Sequence, residues 1–292
     1  MNGTKMKRAL TYLAFVSPAA ALFAVFIVLP FVRAFLYSFQ DWDGIGREMA
    51  WVGPANYLRA FEETAFRASV WFTARFVAVT AVLLNVLGLL LALAVNVKLK
   101  TGHFARTAFF LPTVIVPVLV GYLWGFIIVQ LLPDIGEWTG IRILQKNWLS
   151  LPDYAFISIA AVFVWQHVGY YMVIYLAALQ GVPRDLLEAA AMDGAGRWGT
   201  FRSVVIPLIR PAVTVCTFLA VAAGFKSFDL NYSLTQGGPF GTTESLTLQI
   251  YKDAFQRNLF SYASAKAILF FAALSAVTLI QVAYMKRKEV QL

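Results

Sequence analysis

Long uncharged apolar runs alternate with short charged segments along the whole chain, and this spacing predicts helices that cross a bilayer. The first run, Ala9 to Val32, has 24 residues and follows Lys5, Lys7 and Arg8. At about 1.5 Å per residue it is long enough for roughly 30 Å of hydrocarbon. It exceeds the apolar core of a cleaved signal peptide, about 7 to 15 residues, so it reads as a retained span. The second run, Phe76 to Val97, has 22 residues and precedes Lys98, Lys100 and Arg106. The third, Thr107 to Pro133, has 27 residues and carries Pro112 and Pro117. Those prolines bend a helix, either to turn freed carbonyls toward the centre of an assembly or merely to pack. The fourth, Tyr154 to Pro183, is uncharged but holds Trp165, Gln166, His167, Tyr170 and Tyr171, a set costly toward lipid and expected to look inward. The last, Ala267 to Met285, has 19 residues and is closed by Lys286, Arg287 and Lys288.

A fifth run is short: only Pro211 to Phe225, 15 residues, is free of charge, below the roughly 17 to 25 expected of a span. Either Lys226 and Asp229 pair on one helix face and the helix extends from Ile209 to Leu230, or it stops near Phe225 and Lys226 reaches the interface. The polar connections are distinct. Asp41 to Arg67 is broken by Gly44, Gly46, Gly53 and Pro54; Thr235 to Pro239 is a turn; Leu248, Tyr251, Phe255 and Leu259 mark an amphipathic helix too polar to cross. Ala178 to Pro211 carries Arg184, Arg197, Arg202, Arg210, Asp185, Glu188 and Asp193, so it lies in water. Pro183 is placed as the first residue of a short helix, Asp185 and Glu188 suit its amino-terminal end, and Gly194 and Gly196 stop it. Trp198, Phe201 and Val205 give a second short helix one apolar face, and Pro207 ends it. The pair is a knob for another protein's groove or a connector lying on the membrane surface.

Within that loop, Glu188-Ala189-Ala190, Asp193-Gly194-Ala195, Phe201 and Ile206-Pro207 resemble the EAA loop of permease subunits in binding-protein-dependent ABC importers of the carbohydrate-uptake branch. Ile206 stands where the family usually has leucine, a substitution conservative in volume. The segment WVGPANYLRAF resembles the family's first external loop, and Thr235-Gln236-Gly237-Gly238-Pro239 its TxGGP loop. The resemblance covers most of the chain. It implies that the loop 183–207 docks on a cytoplasmic ATPase, with Glu188, Ala189, Ala190, Asp193, Gly194, Ala195, Phe201 and Pro207 as coupling residues. It also implies the partners: a second related permease, two ATP-binding subunits and an extracytoplasmic solute-binding protein, assembled in the plasma (inner) membrane.

Composition agrees with a membrane chain. Of 292 residues, 60% are hydrophobic and 13% charged, with mean hydropathy +0.70. The net charge of +9 is distributed by topology. Thirteen Lys and Arg fall on the side of the termini, the 98–106 loop and the 184–210 loop, against seven in the alternate loops, or eleven with Arg33, Arg75, Lys226 and Lys266 at span ends. The denser side is cytoplasmic by the positive-inside bias, and nucleic acid is not needed to explain the charge. The fold expected is therefore an all-α integral membrane protein, one domain over 1–292. Its six spans lie at about 9–36, 72–97, 107–132, 154–179, 209–230 and 265–285, with both termini cytoplasmic.

The sequence holds no P-loop, GxSxG, HExxH or aspartate-rich cluster, one cysteine and two widely spaced histidines, so no catalytic residue, metal site or cofactor is expected. Hydrolysis of ATP is assigned to a partner. For the pathway, Trp165, Gln166, His167 and Tyr170 are the densest set able to stack on a sugar and bind its hydroxyls, or else simple packing aromatics. By resemblance Thr113 and Ser227 join them. A cation at Lys226 keeps glycerol 3-phosphate or another polar solute open as the substrate. A secondary transporter would need an ion-coupling site where the spans offer only Asp229, and a membrane-embedded enzyme would have to start from His167 alone.

Overall fold

The computed structural model describes residues 2–97 and 102–286; Lys98, Lys100, Arg287 and Lys288, used above for topology, lie outside them. The described chain is almost wholly helical, with one antiparallel ladder of β1 (Gln40–Asp41) and β2 (Ala50–Trp51). In chain order the helices are α1 (2–37), α2 (Ala55–Glu62), α3 (Thr64–Val95), α4 (Gly102–Val114), α5 (Pro117–Thr139) and α6 (Pro152–Gln180). They continue as α7 (Arg184–Met192), α8 (Arg197–Leu208), α9 (Arg210–Phe225), α10 (Asp229–Leu234), α11 (Leu246–Phe255) and α12 (Phe260–Lys286). Among the described residues five helices, α1, α3, α5, α6 and α12, are long and apolar enough to cross a membrane, and α8 with α9 makes a sixth if the bent pair is one span. This is an all-α, multi-pass membrane protein.

The prolines act in two ways that the sequence does not separate. Pro30, Pro133 and Pro207 each follow a wide turn, at Ala24–Val28, Ile127–Leu131 and Phe201–Val205. There the N–H groups of Leu29, Leu132 and Ile206 bond to the carbonyls of Ala24, Ile127 and Phe201, five residues back. Widening the turn by one residue accommodates the missing proline N–H without ending the helix. Pro207 therefore does not terminate the second loop helix as expected; α8 runs to Leu208, and the chain turns by 66° into α9. Pro117 does break its helix. Val116 is extended (ψ 129), as a residue before proline prefers, so the third run becomes α4 and α5 rather than one span over 107–132. Of the two readings of the fifth run, the shorter one forms. α9 ends at Phe225, Lys226 caps it, and Asp229 begins α10, so no helix joins Ile209 to Leu230. Pro183 is the residue before α7, not its first, and the amphipathic helix α11 stops at Phe255, short of Leu259.

Two compact units divide the chain. One comprises Thr64–Gln249 with the chain from Ala272, and its core lies between α3, α6 and α9. Leu84, Ile159, Met172, Cys216 and Ala220 are fully buried there. Asn85 of α3 ties the three helices together: its Oδ1 accepts from Tyr175 of α6 at 2.6 Å and from Thr217 of α9 at 3.3 Å. Within this unit α4 touches α6 through Gly169. A Cβ at that position would stand 1.9 Å from the carbonyl oxygen of Phe109 and 2.6 Å from its carbonyl carbon. Backbone cannot swing aside as a side chain can, so Gly169→Ala pushes the helices apart. The expected cost is about 1–3 kcal/mol, read as a lower denaturation midpoint of the detergent-solubilised protein. An unchanged midpoint would mean that the two backbones do not meet this closely.

The other unit comprises the chain up to Glu63 with Ile250–Phe271. Asn56 of α2 donates to the carbonyls of Ser38 and Gln40 at 3.0 and 2.7 Å, fixing the end of α1 and the start of the ladder. Lys266, counted from sequence as a span-end charge, is instead fully buried inside α12. Its ammonium bonds to the carboxylates of Glu63 and Asp253, the latter at 2.6 Å and also fully buried. Asp253 accepts from Arg257 at 2.7 Å and Glu63 from the Tyr262 hydroxyl at 2.6 Å. Desolvation would raise the Glu63 carboxyl, but hydrogen bonds from Lys266 and Tyr262 and nearby positive charge hold it below its ordinary value.

Candidate functional site

A cavity of about 190 Å³ opens where α6 meets the broken ends of α9 and α10, and Gln166, His167, Lys226, Ser227, Phe228 and Asp229 are among the residues that line it. Its back wall follows from Pro117. That residue leaves the carbonyls before it without the usual helical partners, and buried Gln166 donates Nε2 to one of them, Ile115, at 2.9 Å. Thr113 donates its hydroxyl to the Gln166 backbone carbonyl at 2.9 Å. The Gln166 Oε1 is buried and has no hydrogen-bond partner among the described residues. His167 Nδ1 lies 2.8 Å from the Phe163 carbonyl, which can only accept, so Nδ1 carries a proton; in the neutral ring Nε2 then offers a lone pair. The ring stacks on Phe163 at 4.3 Å.

Lys226 and Asp229 are exposed at this cavity, and no ion pair between them occurs among the described residues. Breaking the helix at Lys226 removed the helical spacing that would have brought them together. Ser227 is occupied: it donates to Asn231 at 2.8 Å, and its carbonyl receives the hydroxyls of Ser245 and Thr247 at 3.1 and 2.9 Å. Of the expected pathway residues, then, Gln166, His167 and Ser227 come together, and Thr113 supports them from behind. Trp165 does not join them; it lines a separate apolar cavity of about 280 Å³, edge-on to Trp124 at 5.3 Å. Tyr170 packs edge-on against Tyr171. The physical reason is rotation, since Trp165 and Gln166 point about 100° apart on a helix. Sequence reasoning left out Phe228 and Asp229 as lining groups. Phe228 has no signal in the sequence, and Asp229 is named there only as a partner for Lys226 and as a lone ion-coupling carboxylate; the break after Phe225 brings both to the cavity wall.

At the other end of α6, the loop 183–207 forms the two short helices α7 and α8. Gly194 takes φ +80°, and behind it the N–H of Gly194 bonds to Ala191 O at 3.1 Å and that of Ala195 to Ala190 O at 2.9 Å. This paired closure satisfies carbonyls at the end of α7 and needs a left-handed residue at position 194. Glu188, Ala189, Asp193, Gly194 and Ala195 are exposed, while Ala190, Phe201 and Pro207 are half-buried. Met192 and Trp198 are 89% and 71% exposed, an apolar pair that water does not favour.

The model of the family described as binding-protein-dependent transport system inner membrane component matches residues 84–290, including both the cavity and the loop. The chain belongs to this family. A permease protein named as a probable starch degradation products transport component (AmyD) of Thermoanaerobacterium thermosulfurigenes is 38% identical, over 98% of this permease and 97% of its own length. The multiple sugar-binding transport permease MsmF of Streptococcus mutans is 34% identical, over 91% and 92%. A bacterial ABC transporter for import of the acidic polysaccharide alginate contains a chain of the same fold. Its TM-score is 0.84 at 20% identity, with 97% and 98% of the two chains covered.

Proposed function

We propose that this permease forms one half of the membrane pathway of an ATP-driven importer for a sugar or oligosaccharide, and that the Gln166 cavity is part of that pathway. The observation that carries this reading is a set of polar residues, Gln166, His167, Lys226 and Asp229, gathered beside helices that are otherwise uncharged. Buried apolar surroundings with a few convergent polar groups suit a polyhydroxylated solute. The named sugar permeases among its relatives support the substrate class. In this reading the loop 183–207 lies in the cytoplasm with both termini, in a plasma or inner membrane. It docks on one of two ATP-binding subunits, which hydrolyse the nucleotide; a second permease completes the pore and an external binding protein delivers the solute. Exposed Met192 and Trp198 and the rigid end of α7 give that docking its apolar anchor and fixed shape.

Uptake by the reconstituted importer tests the cavity. His167→Ala and Asp229→Ala are expected to lower uptake about tenfold or more, the effect of losing a polar group that meets the solute, with ATPase association intact. Trp165→Ala and Tyr170→Ala are expected to lose less. If His167→Ala and Asp229→Ala transport like the wild type, the pathway lies elsewhere. Lys226 favours a second reading, a phosphorylated or acidic solute such as glycerol 3-phosphate. Asp229 beside it argues for the neutral sugar, and the solute retained by the cognate binding protein distinguishes the two.

A further inference from the structure

A third cavity, of about 280 Å³, lies between the first third of α3 and the start of α6, where Trp71, Phe72, Arg75, Asp153, Phe156 and Thr242 line it. The Arg75 guanidinium lies 4.1 Å from the centre of the Phe156 ring, which orients it over the cavity floor. Asp153 brings the opposite charge to the same space, yet no ion pair joins the two among the described residues. The depth of the cavity is written in the sequence. Arg75 is the last charge before the uncharged run Phe76 to Val97, and Asp153 the last before the run from Tyr154, so both stand where hydrocarbon gives way to headgroups. Trp71, 71% exposed, is the residue type that settles at that boundary.

We propose that this cavity binds a phosphoethanolamine group, the headgroup of phosphatidylethanolamine. Two opposite charges held apart in one cavity match a ligand carrying both. The planar guanidinium takes the phosphate through paired hydrogen bonds. The primary ammonium has three N–H donors and meets acceptors only: the Asp153 carboxylate and the Thr242 oxygen, whose own proton is given to the Pro239 carbonyl at 2.7 Å. Trp71 and Phe72 cover the methylene groups. The lining has no amide side chain to read sugar hydroxyls, which separates it from the Gln166 cavity. The site does not depend on what the transporter carries.

The test uses the assembled transporter in nanodiscs of mixed phosphatidylethanolamine, phosphatidylcholine and phosphatidylglycerol, delipidated with mild detergent, with retained lipid counted by mass spectrometry. Phosphatidylethanolamine is expected to be retained about tenfold better by the wild type than by Arg75→Gln or Asp153→Asn, both at exposed positions. Phosphatidylcholine, with no N–H to donate, is retained poorly. Displacement by soluble glycerophosphoethanolamine assigns the site to the free headgroup compound, and resistance to it assigns the site to the lipid. Equal retention by all three proteins, or preference for phosphatidylcholine or phosphatidylglycerol, overturns the proposal.

Discussion

Replacing Lys266 by methionine is expected to destabilise the permease by about 3–5 kcal/mol, because it leaves two carboxylates without the cation between them. Asp253 is fully buried and, among the described residues, would keep its bond from Arg257; Glu63 would keep the Tyr262 hydroxyl and the more distant charge of Arg257. The loss is larger than removal of a surface ion pair, which is worth about 0–1 kcal/mol, because here the charges cannot return to water. A triple variant, Glu63→Gln, Asp253→Asn and Lys266→Met, removes the unmatched charges together and is expected to regain most of the stability. Denaturation in detergent reads both. A single variant as stable as the wild type, or a triple variant worse than the single, would contradict the account. The Glu63 carboxyl, with its folded pKa depressed, contributes stability that is complete above the ordinary glutamate value of about 4.3. That contribution is lost as pH falls through the lower folded value.

Gly194→Val is expected to abolish transport while leaving the spans folded. The left-handed conformation at φ +80° costs a residue with a side chain about 1–2 kcal/mol, more when it is β-branched. The chain can relieve that strain only by unwinding the last turn of α7, which moves Asp193 and Ala195 away from the docking geometry. ATPase association is then expected to fall about tenfold or more. No atom lies within 4 Å of the position a Cβ would take, so the effect is conformational and not a clash. Gly194→Asn separates the two causes, because asparagine tolerates the left-handed region and is expected to retain most of the association. If valine and asparagine behave alike, backbone conformation is not what matters at this site. A reporter fused after Arg197 is a direct control of topology: labelling from outside intact cells would remove the coupling role altogether.

How much of this was legible follows from which interactions are local. Uncharged runs located the long helices because a chain in hydrocarbon must satisfy its backbone within each segment, a demand that sequence states directly. The loop 183–207 was legible for a similar reason. Its charges exclude it from lipid, and the glycine that ends α7 acts through bonds to residues three to five positions away. The resemblance to importer permeases rested on this stretch, on WVGPANYLRAF and on Thr235 to Pro239, and the family match includes the first and the last of these.

Tertiary structure decided what depends on distant partners. Pro117 breaks a helix while Pro30, Pro133 and Pro207 are absorbed, and the difference at Pro117 is accompanied by Gln166, 51 residues from the carbonyl to which it donates. Lys266 reads as an ordinary end-of-span charge until folding brings Glu63, 203 residues away, beside it. Likewise Trp165 and Gln166 are neighbours in sequence but line different cavities, and Asp229 lines the Gln166 cavity only because α9 stops at Phe225. The sequence by itself determined a multi-pass helical permease with a charged two-helix loop kept out of lipid, since bilayer solvation and helix closure are short-range constraints. Which polar groups are buried, paired or left facing a cavity was settled only in the folded chain, because each depends on helices that meet from far apart in sequence.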